Sequence, residues 1–201
     1  MQQPTDRYTR TAMLLHWLVA VLIIANLVLI WTMSLDPKPL VRPMINLHKS
    51  IGLTVLGLVL IRVLWRLTHR PPPLPQSYPA IERGGAHLAH LVLYVLILGL
   101  PISGYIHDSA FAQAAAHPLR LYGLVPFPRI GPIMALDPAT KQRVHDFWFS
   151  VHGFLAYGLY ALLALHVLGA LKHQLLDRQP ELARMLPWGR RPVATKPGND
   201  G

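Results

Sequence analysis

The chain has 201 residues, of which only 14% are charged, whereas soluble domains carry roughly 25%, so an ordinary water-soluble protein is excluded. The absence of cysteine excludes disulfides, iron–sulfur clusters and cysteine-attached cofactors. The formal charge of +10 is expected to orient a hydrophobic chain in a membrane, and we predict no binding to nucleic acid.

Four runs without Asp, Glu, Lys or Arg predict four membrane-spanning helices. The runs cover residues 11–35, 50–61, 84–107 and 147–171. Three of them exceed the ~20 residues that a helix needs to cross ~30 Å of hydrocarbon. The second is shorter, but it can extend on both sides because Lys49, Arg62 and Arg66 can reach the headgroups along their aliphatic stems.

We predict an all-α fold, a four-helix transmembrane bundle formed by residues 1–191. The helices are expected at about residues 12–33, 43–67, 84–107 and 147–171, and residues 192–201 are expected to be a disordered tail. The first helix is too long for the apolar core of a signal peptide. The segment from Asp108 to Asp146 is too long for a plain turn, so we expect it to fold against the membrane surface.

The distribution of basic residues predicts the orientation of the bundle. With four crossings both termini lie on one face, and that face, together with the 62–83 connection, carries twelve of the nineteen Lys and Arg residues. Basic residues accumulate on the cytoplasmic side of membrane proteins. Both termini are therefore predicted to be cytoplasmic, and the first and third connections to lie on the outer face.

Histidines lie at two depths in the predicted bundle. His152 and His166 share the fourth helix, fourteen residues apart, which corresponds to a rise of about 21 Å and to directions within about 40° of one another. Each therefore needs a partner from another helix at its own depth. His48 lies at the outer depth, whereas three histidines lie at the inner depth: His16, His87 and His90.

Pairs of neutral imidazoles inside a membrane are typical of haem iron. Each imidazole offers a nitrogen lone pair without placing a charge in hydrocarbon, and ionisable groups at such depths are functional by default. We therefore predict that His48, His152 and His166 bind haem iron, while the inner partner stays open. A transition-metal transport path would need carboxylate or thioether companions, and the predicted helices contain no Asp or Glu.

The sequence resembles the bacterial cytochrome b561 family and, more distantly, the cytochrome b subunits of hydrogenase and formate dehydrogenase. Motifs in a fixed order carry the resemblance along nearly the whole chain: RYTRTAMLLHWLVA, INLHKSIGLTVLGLVLIRVLWRL, AHLAHLVLYVLILGLPISGY, LYGLVPFP, VHDFWFSVHGFLAYGLYALLALHVLGALKHQLLDR and ARMLP. The sequence departs from the family at the end of the fourth helix. Two adjacent histidines are common there, whereas here His173 is followed by Gln174.

The resemblance implies two haem b groups and their ligands. The inner group would be bound by His16 with His166, and the outer group by His48 with His152. Three further residues would surround the ligands or contact the haem propionates: His90, Arg62 and Arg66.

Two such groups imply an electron path across the bilayer, because six-coordinate bis-histidine iron has no open position for oxygen chemistry. Quinone is the expected partner in the lipid, and the resemblance implies a superoxide oxidase of the bacterial inner membrane, which passes an electron from superoxide at the outer face to ubiquinone. Cations around His48 are expected to steer a small anion, or instead to anchor headgroups or pair with propionates: Lys38, Arg42 and Lys49. The alternative is a membrane-anchoring cytochrome b subunit that exchanges electrons with a dehydrogenase or hydrogenase as its protein partner.

Overall fold

Four long helices dominate the computed structural model, which describes residues 7–33, 35, 38–69, 71–73, 78–177 and 181–186. The elements in chain order are α1 Arg10–Met33, α2 Lys38–Thr68, α3 Ala80–Ser109, β1 Arg120–Leu121, β2 Val125–Pro126, α4 Gly131–Met134, α5 Pro138–Leu175 and α6 Glu181–Met185. Helices α1, α2, α3 and α5 are each long and apolar enough to cross a membrane. The predicted four-helix transmembrane fold is confirmed, while the predicted tail at 192–201 lies outside the described residues.

The long helices extend beyond the charge-free runs. α5 begins at Pro138 rather than near residue 147, because Asp137 caps it: the Thr140 N–H donates to the Asp137 carboxylate over 3.0 Å. Proline suits the first turn of a helix, where its missing N–H would have no intrahelical partner. The Asp137 cap, rather than the start of the charge-free run, therefore marks where α5 begins.

The outside of the bundle is apolar. Leu14, Val21, Leu64, Leu91 and Phe154 are all more than half exposed. Apolar side chains on this scale would not face water in a soluble monomer, but they match the hydrocarbon that surrounds a transmembrane helix. The helix surfaces are therefore suited to contact with lipid, as the low charge content predicts.

The helices approach one another unevenly. α1 packs along α2, α2 packs along α3, and α3 packs along α5. α5 faces α1 across an apolar groove of about 430 Å³. The groove is lined by Leu27, Trp31, Tyr160, Leu163, Ala164, Val167 and Leu168. The bundle is thus open between its first and last long helices.

The segment between α3 and α5 folds onto the beginning of α2 and the end of α3. Outer and inner below denote, respectively, this end of the bundle and the opposite one, as predicted from the basic residues. Its two-stranded hairpin turns at Tyr122 and Gly123, which have φ angles of 53° and 74°. The Tyr122 N–H donates to the Ser50 Oγ over 2.9 Å, and the Tyr122 hydroxyl lies 2.7 Å from the Thr54 Oγ. A left-handed φ is uncommon for tyrosine, so these contacts with α2 hold the turn in an unusual conformation.

Candidate functional site

The structure brings four of the predicted histidines together as two pairs. The ring centroids of His48 and His152 are 6.1 Å apart, with the planes at 88°. The ring centroids of His16 and His166 are 6.4 Å apart, with the planes at 70°. One pair lies toward each end of the bundle, at the two depths that the spacing on α5 predicts.

The separation within each pair fits one metal ion between two imidazoles. Two metal–nitrogen bonds of ~2 Å, plus ~1.1 Å from each nitrogen to its ring centre, place the centroids roughly 6.2 Å apart. Both pairs lie within about 0.2 Å of this value. The donor atoms are neutral imidazole nitrogens, which suit haem iron, so the residues present fit the cofactor that the resemblance implies.

The distance between ring centroids also distinguishes the three candidate partners of His166 at the inner depth. The ring centroid of His90 lies 5.3 Å from that of His166, about 1 Å less than a shared metal ion requires. His87 is exposed on α3 and makes no ring contact with the other inner histidines in the described part of the chain. Geometry therefore favours His16 as the partner of His166, and it places His90 beside the pair.

The His152 ring is held in one orientation by α3. Its Nδ1 lies 3.0 Å from the Leu100 carbonyl oxygen and 3.0 Å from the Ser103 Oγ. The Ser103 hydroxyl donates its own hydrogen to the Leu100 carbonyl. Because a carbonyl oxygen only accepts, the proton of neutral His152 is on Nδ1, and Nε2 keeps the lone pair that a metal needs.

The His48 ring has an acceptor on a different helix. Its Nδ1 lies 3.0 Å from the Oδ1 of Asn26 on α1. With Nδ1 donating to this oxygen, the Nε2 of His48 is also free to bind a metal. Sequence reasoning missed both Asn26 and Ser103, although one signal was present: an amide inside the charge-free run 11–35 must find a partner in hydrocarbon.

Gly104 lets the His152 ring lie close to α3. A Cβ at this position would stand 3.2 Å from the His152 Cε1 and 3.3 Å from its Nδ1. Both distances are tighter than an ordinary carbon contact of about 3.5–4.0 Å. Glycine at this position is therefore a steric requirement for the observed ring placement.

Two cations lie at the inner end. Arg62 donates through Nε to the Tyr94 hydroxyl over 2.9 Å and through Nη1 to the carbonyl oxygen of Ala12, one turn before His16. The Arg66 guanidinium lies 5.8 Å from the centre of the Tyr94 ring. In the ranges that the structure describes, no carboxylate pairs with either guanidinium, so the charges of these two arginines are not compensated by a described side chain.

The cations at the outer end are arranged differently. Asp108 is buried and accepts from Lys49 Nζ at 2.6 Å and from Arg129 Nε at 2.9 Å. Asp108 lies one residue beyond the predicted end of the third helix, and its ion pairs were not predicted. One of them engages Lys49, one of the three predicted steering residues. Arg42 is exposed, and for Lys38 only the backbone is described.

Two further histidines adjoin the outer pair. The His107 ring centroid lies 5.5 Å from that of His152 and 5.4 Å from that of His145. The Nδ1 of His145 donates to the His107 carbonyl over 2.8 Å. Sequence reasoning did not single out these two residues, because His107 lies at the edge of the charge-free run and His145 beyond it.

The end of α5 carries a separate polar cluster. The Lys172 Nζ lies 3.1 Å from Glu82 and 3.0 Å from Asp177, and the His173 Nδ1 lies 2.7 Å from Asp177. The two hydrogen bonds from Lys172 and His173 lower the pKa of Asp177. His173, at the departure from the family pattern, is therefore part of an ion-pair cluster at the end of the helix.

Comparisons with known proteins identify the family of the chain. The family description "prokaryotic cytochrome b561" matches residues 7–188. The chain is 34% identical to cytochrome b561 homolog 2 of Escherichia coli K12, over 90% of this chain and 92% of that protein. It is 30% identical to the probable superoxide oxidase CybB of Yersinia pestis, over 86% and 92%, and 23% identical to cytochrome b561 homolog 1 of Escherichia coli K12, over 90% and 98%. The chain therefore belongs to the prokaryotic cytochrome b561 family, a family of multi-pass membrane proteins that bind haem b and transfer electrons.

Proposed function

We propose that this protein carries electrons across the bacterial inner membrane, from superoxide at the outer face to ubiquinone in the lipid. The outer of two haem b groups is assigned to His48 with His152, and the inner group to His16 with His166. One observation carries this proposal: there are two imidazole pairs, with 6.1 and 6.4 Å between ring centroids, and each takes one member from helix α5, at two different depths.

The side chains of the bundle prepare these sites for electron transfer rather than for oxygen chemistry. Haem b, when bound, supplies reversible one-electron redox chemistry. An imidazole on each side of the metal leaves no coordination position open. His152 and His48 present Nε2 because Leu100, Ser103 and Asn26 accept from their Nδ1 atoms.

The proposed positions of the haem propionates follow from charge. Arg62 and Arg66 lie at the inner end without a carboxylate partner in the described residues, and guanidinium groups bind carboxylates well. We assign both arginines to propionates of the inner group. His90 lies beside His166, with its Nδ1 donating to the Ala86 carbonyl over 2.7 Å, and is assigned to the surroundings of the same group.

Superoxide as the outer donor is supported by a relative and by charge. The Yersinia pestis relative is named a probable superoxide oxidase. The Lys49, Asp108 and Arg129 cluster has a net charge of +1, and exposed Arg42 lies near it in sequence on α2. Local positive charge raises the encounter rate of a small anion. Two superoxide anions give two O2 and two electrons, and these electrons with two protons convert one ubiquinone to ubiquinol.

The proposed orientation places both termini in the cytoplasm. It rests on the twelve Lys and Arg residues of the terminal and 62–83 segments. The His48 and His152 pair then faces the outer side, where the hairpin segment covers the ends of α2 and α3. This orientation agrees with a donor that arrives from outside.

The purified, haem-loaded protein mixed with a superoxide generator and a soluble ubiquinone analogue tests the proposal. Quinol formation is expected above the uncatalysed rate, and superoxide dismutase is expected to abolish it. An unchanged rate would contradict superoxide as the donor. Arg42→Gln is expected to lower the rate at low salt and to weaken its salt dependence.

The membrane-subunit alternative predicts a stable partner. Affinity purification from native membranes under mild detergent measures this directly. A stoichiometric dehydrogenase or hydrogenase subunit would favour the alternative, whereas isolation of the chain alone, active with superoxide, would favour the oxidase.

A further inference from the structure

The two histidine pairs differ in what surrounds them. We infer that Asn26 and Ser103 are positioning residues that hold the outer haem at a lower midpoint potential than the inner haem, so that electron flow from the outer face inward is downhill. This inference rests on the proposed function for the two haem sites. It adds a difference in midpoint potential that drives the proposed flow, and two residues that set this difference.

Both histidines of the outer pair donate hydrogen bonds from Nδ1. The Nδ1 of His152 has two acceptors at 3.0 Å, the Leu100 carbonyl and the Ser103 Oγ. Donation from Nδ1 shifts electron density toward Nε2 and makes the imidazole a stronger ligand. A stronger ligand stabilises the more positive, oxidised iron, so the midpoint potential falls.

Asn26 acts in the same way on the opposite side of the outer site. Its Oδ1 lies 3.0 Å from the His48 Nδ1. The contact joins α1 to α2, so it also fixes the direction of the ring.

Burial strengthens the contact between Ser103 and His152, because Ser103 has only 1% of its surface exposed. An interaction in such a low-dielectric setting is not screened by water.

The inner pair lacks these acceptors. In the ranges described by the structure, no hydrogen-bond acceptor lies at the Nδ1 of His16 or of His166, whereas both outer ligands have one. The inner imidazoles are therefore weaker electron donors. This difference alone places the outer potential below the inner one.

Charge acts in the same direction. The protein supplies two positive charges, Arg62 and Arg66, to the proposed inner propionates, whereas the cluster of Lys49, Asp108 and Arg129 near the outer pair has a net charge of only +1. Positive charge stabilises the reduced and less positive iron. The inner potential is thus raised relative to the outer.

Redox titration of the haem-loaded protein, followed at the α band of reduced haem b, tests the inference. The His166→Ala background leaves only the outer site occupied, so its midpoint potential is read alone, and His152→Ala does the same for the inner site. The outer potential is expected to lie below the inner potential. In the His166→Ala background, Asn26→Leu and Ser103→Ala are each expected to shift the potential upward.

Matched controls separate this effect from general disturbance of the bundle. Thr32→Val on α1 and Ser150→Ala on α5 also delete a side-chain oxygen, but each hydroxyl bonds only carbonyls of its own helix. Neither control is expected to move a potential. Asn26→Asp keeps an acceptor oxygen and is expected to cause no upward shift.

The outcomes distinguish this inference from the proposed function. Two bound haems with an outer potential equal to or above the inner one, or with no upward shift in both Asn26→Leu and Ser103→Ala, would overturn the inference and leave the electron path intact. A wild-type chain that binds fewer than two haems would overturn the proposed function itself. If Asn26→Leu failed to bind haem, Ser103→Ala would still decide, because Leu100 continues to hold the His152 ring.

Discussion

A single methyl group at position 104 is expected to weaken the outer haem site. In the observed structure a Cβ on Gly104 would lie 3.2 Å from the His152 Cε1 and 3.3 Å from its Nδ1. The ring has little freedom to withdraw, because its Nδ1 is bonded to Leu100 and Ser103. Gly104→Ala must therefore either turn the imidazole away from His48 or break these hydrogen bonds.

The size of the effect follows from the cost of overpacking. Extra methylenes in a packed site cost about 1–3 kcal/mol, and each 1.4 kcal/mol is about tenfold in an equilibrium constant. Haem affinity at the outer site is therefore expected to fall about 5- to 140-fold. The inner pair, which makes no contact with Gly104, is expected to bind haem normally.

Absorption titration with haem in the His166→Ala background measures the outer site alone. Gly99→Ala is the matched control on the same helix, because the added methyl group would meet only the flexible tip of Leu155, at 3.4 Å. Outer haem affinity in Gly104→Ala equal to that in Gly99→Ala would refute the steric argument.

Three further outcomes are expected. His16→Ala should remove one haem per chain, measured by pyridine haemochrome, while His90→Ala should keep both; the reverse result would reassign the inner ligand. Asp108→Asn leaves its two cationic partners without a buried anion, so detergent-solubilised protein should lose about 3–5 kcal/mol of stability, and an unchanged melting temperature would rule this out. The hydrogen bond from the Thr140 N–H lowers the pKa of Asp137. The ionised cap therefore stabilises the folded state at pH values above the unfolded pKa of ~3.9, and this stabilisation is lost as the pH falls through the lowered pKa of the folded state. The melting temperatures of wild type and Asp137→Ala should therefore converge in acid, and a difference that did not depend on pH would contradict this assignment.

The sequence alone was sufficient for the number of spans and for the depth of the histidines. Charge-free runs report directly on which residues lie in hydrocarbon, and α5 is a single helix, so the rise between His152 and His166 follows from residue number. Helix ends were less predictable. They depend on caps such as Asp137, which lie outside the apolar runs.

The partners of the site could not be predicted in the same way. His16 and His90 share a depth, and only the rotation and packing of α1 and α3 decide which ring stands about 6.2 Å from His166. The contacts of Asn26 with His48, and of Gly104 with His152, depend on the same rotations. Tertiary geometry of this kind leaves no local pattern in a single sequence.

Haem b counted per chain, in the wild type and in two single variants, tests the central assignment most directly. We expect two haems in the wild type, one in His152→Ala and one in His166→Ala, with the remaining haem still showing a sharp α band on reduction. A wild-type chain with a single haem, or a His152→Ala variant that kept two, would contradict the assignment of one imidazole pair to each haem.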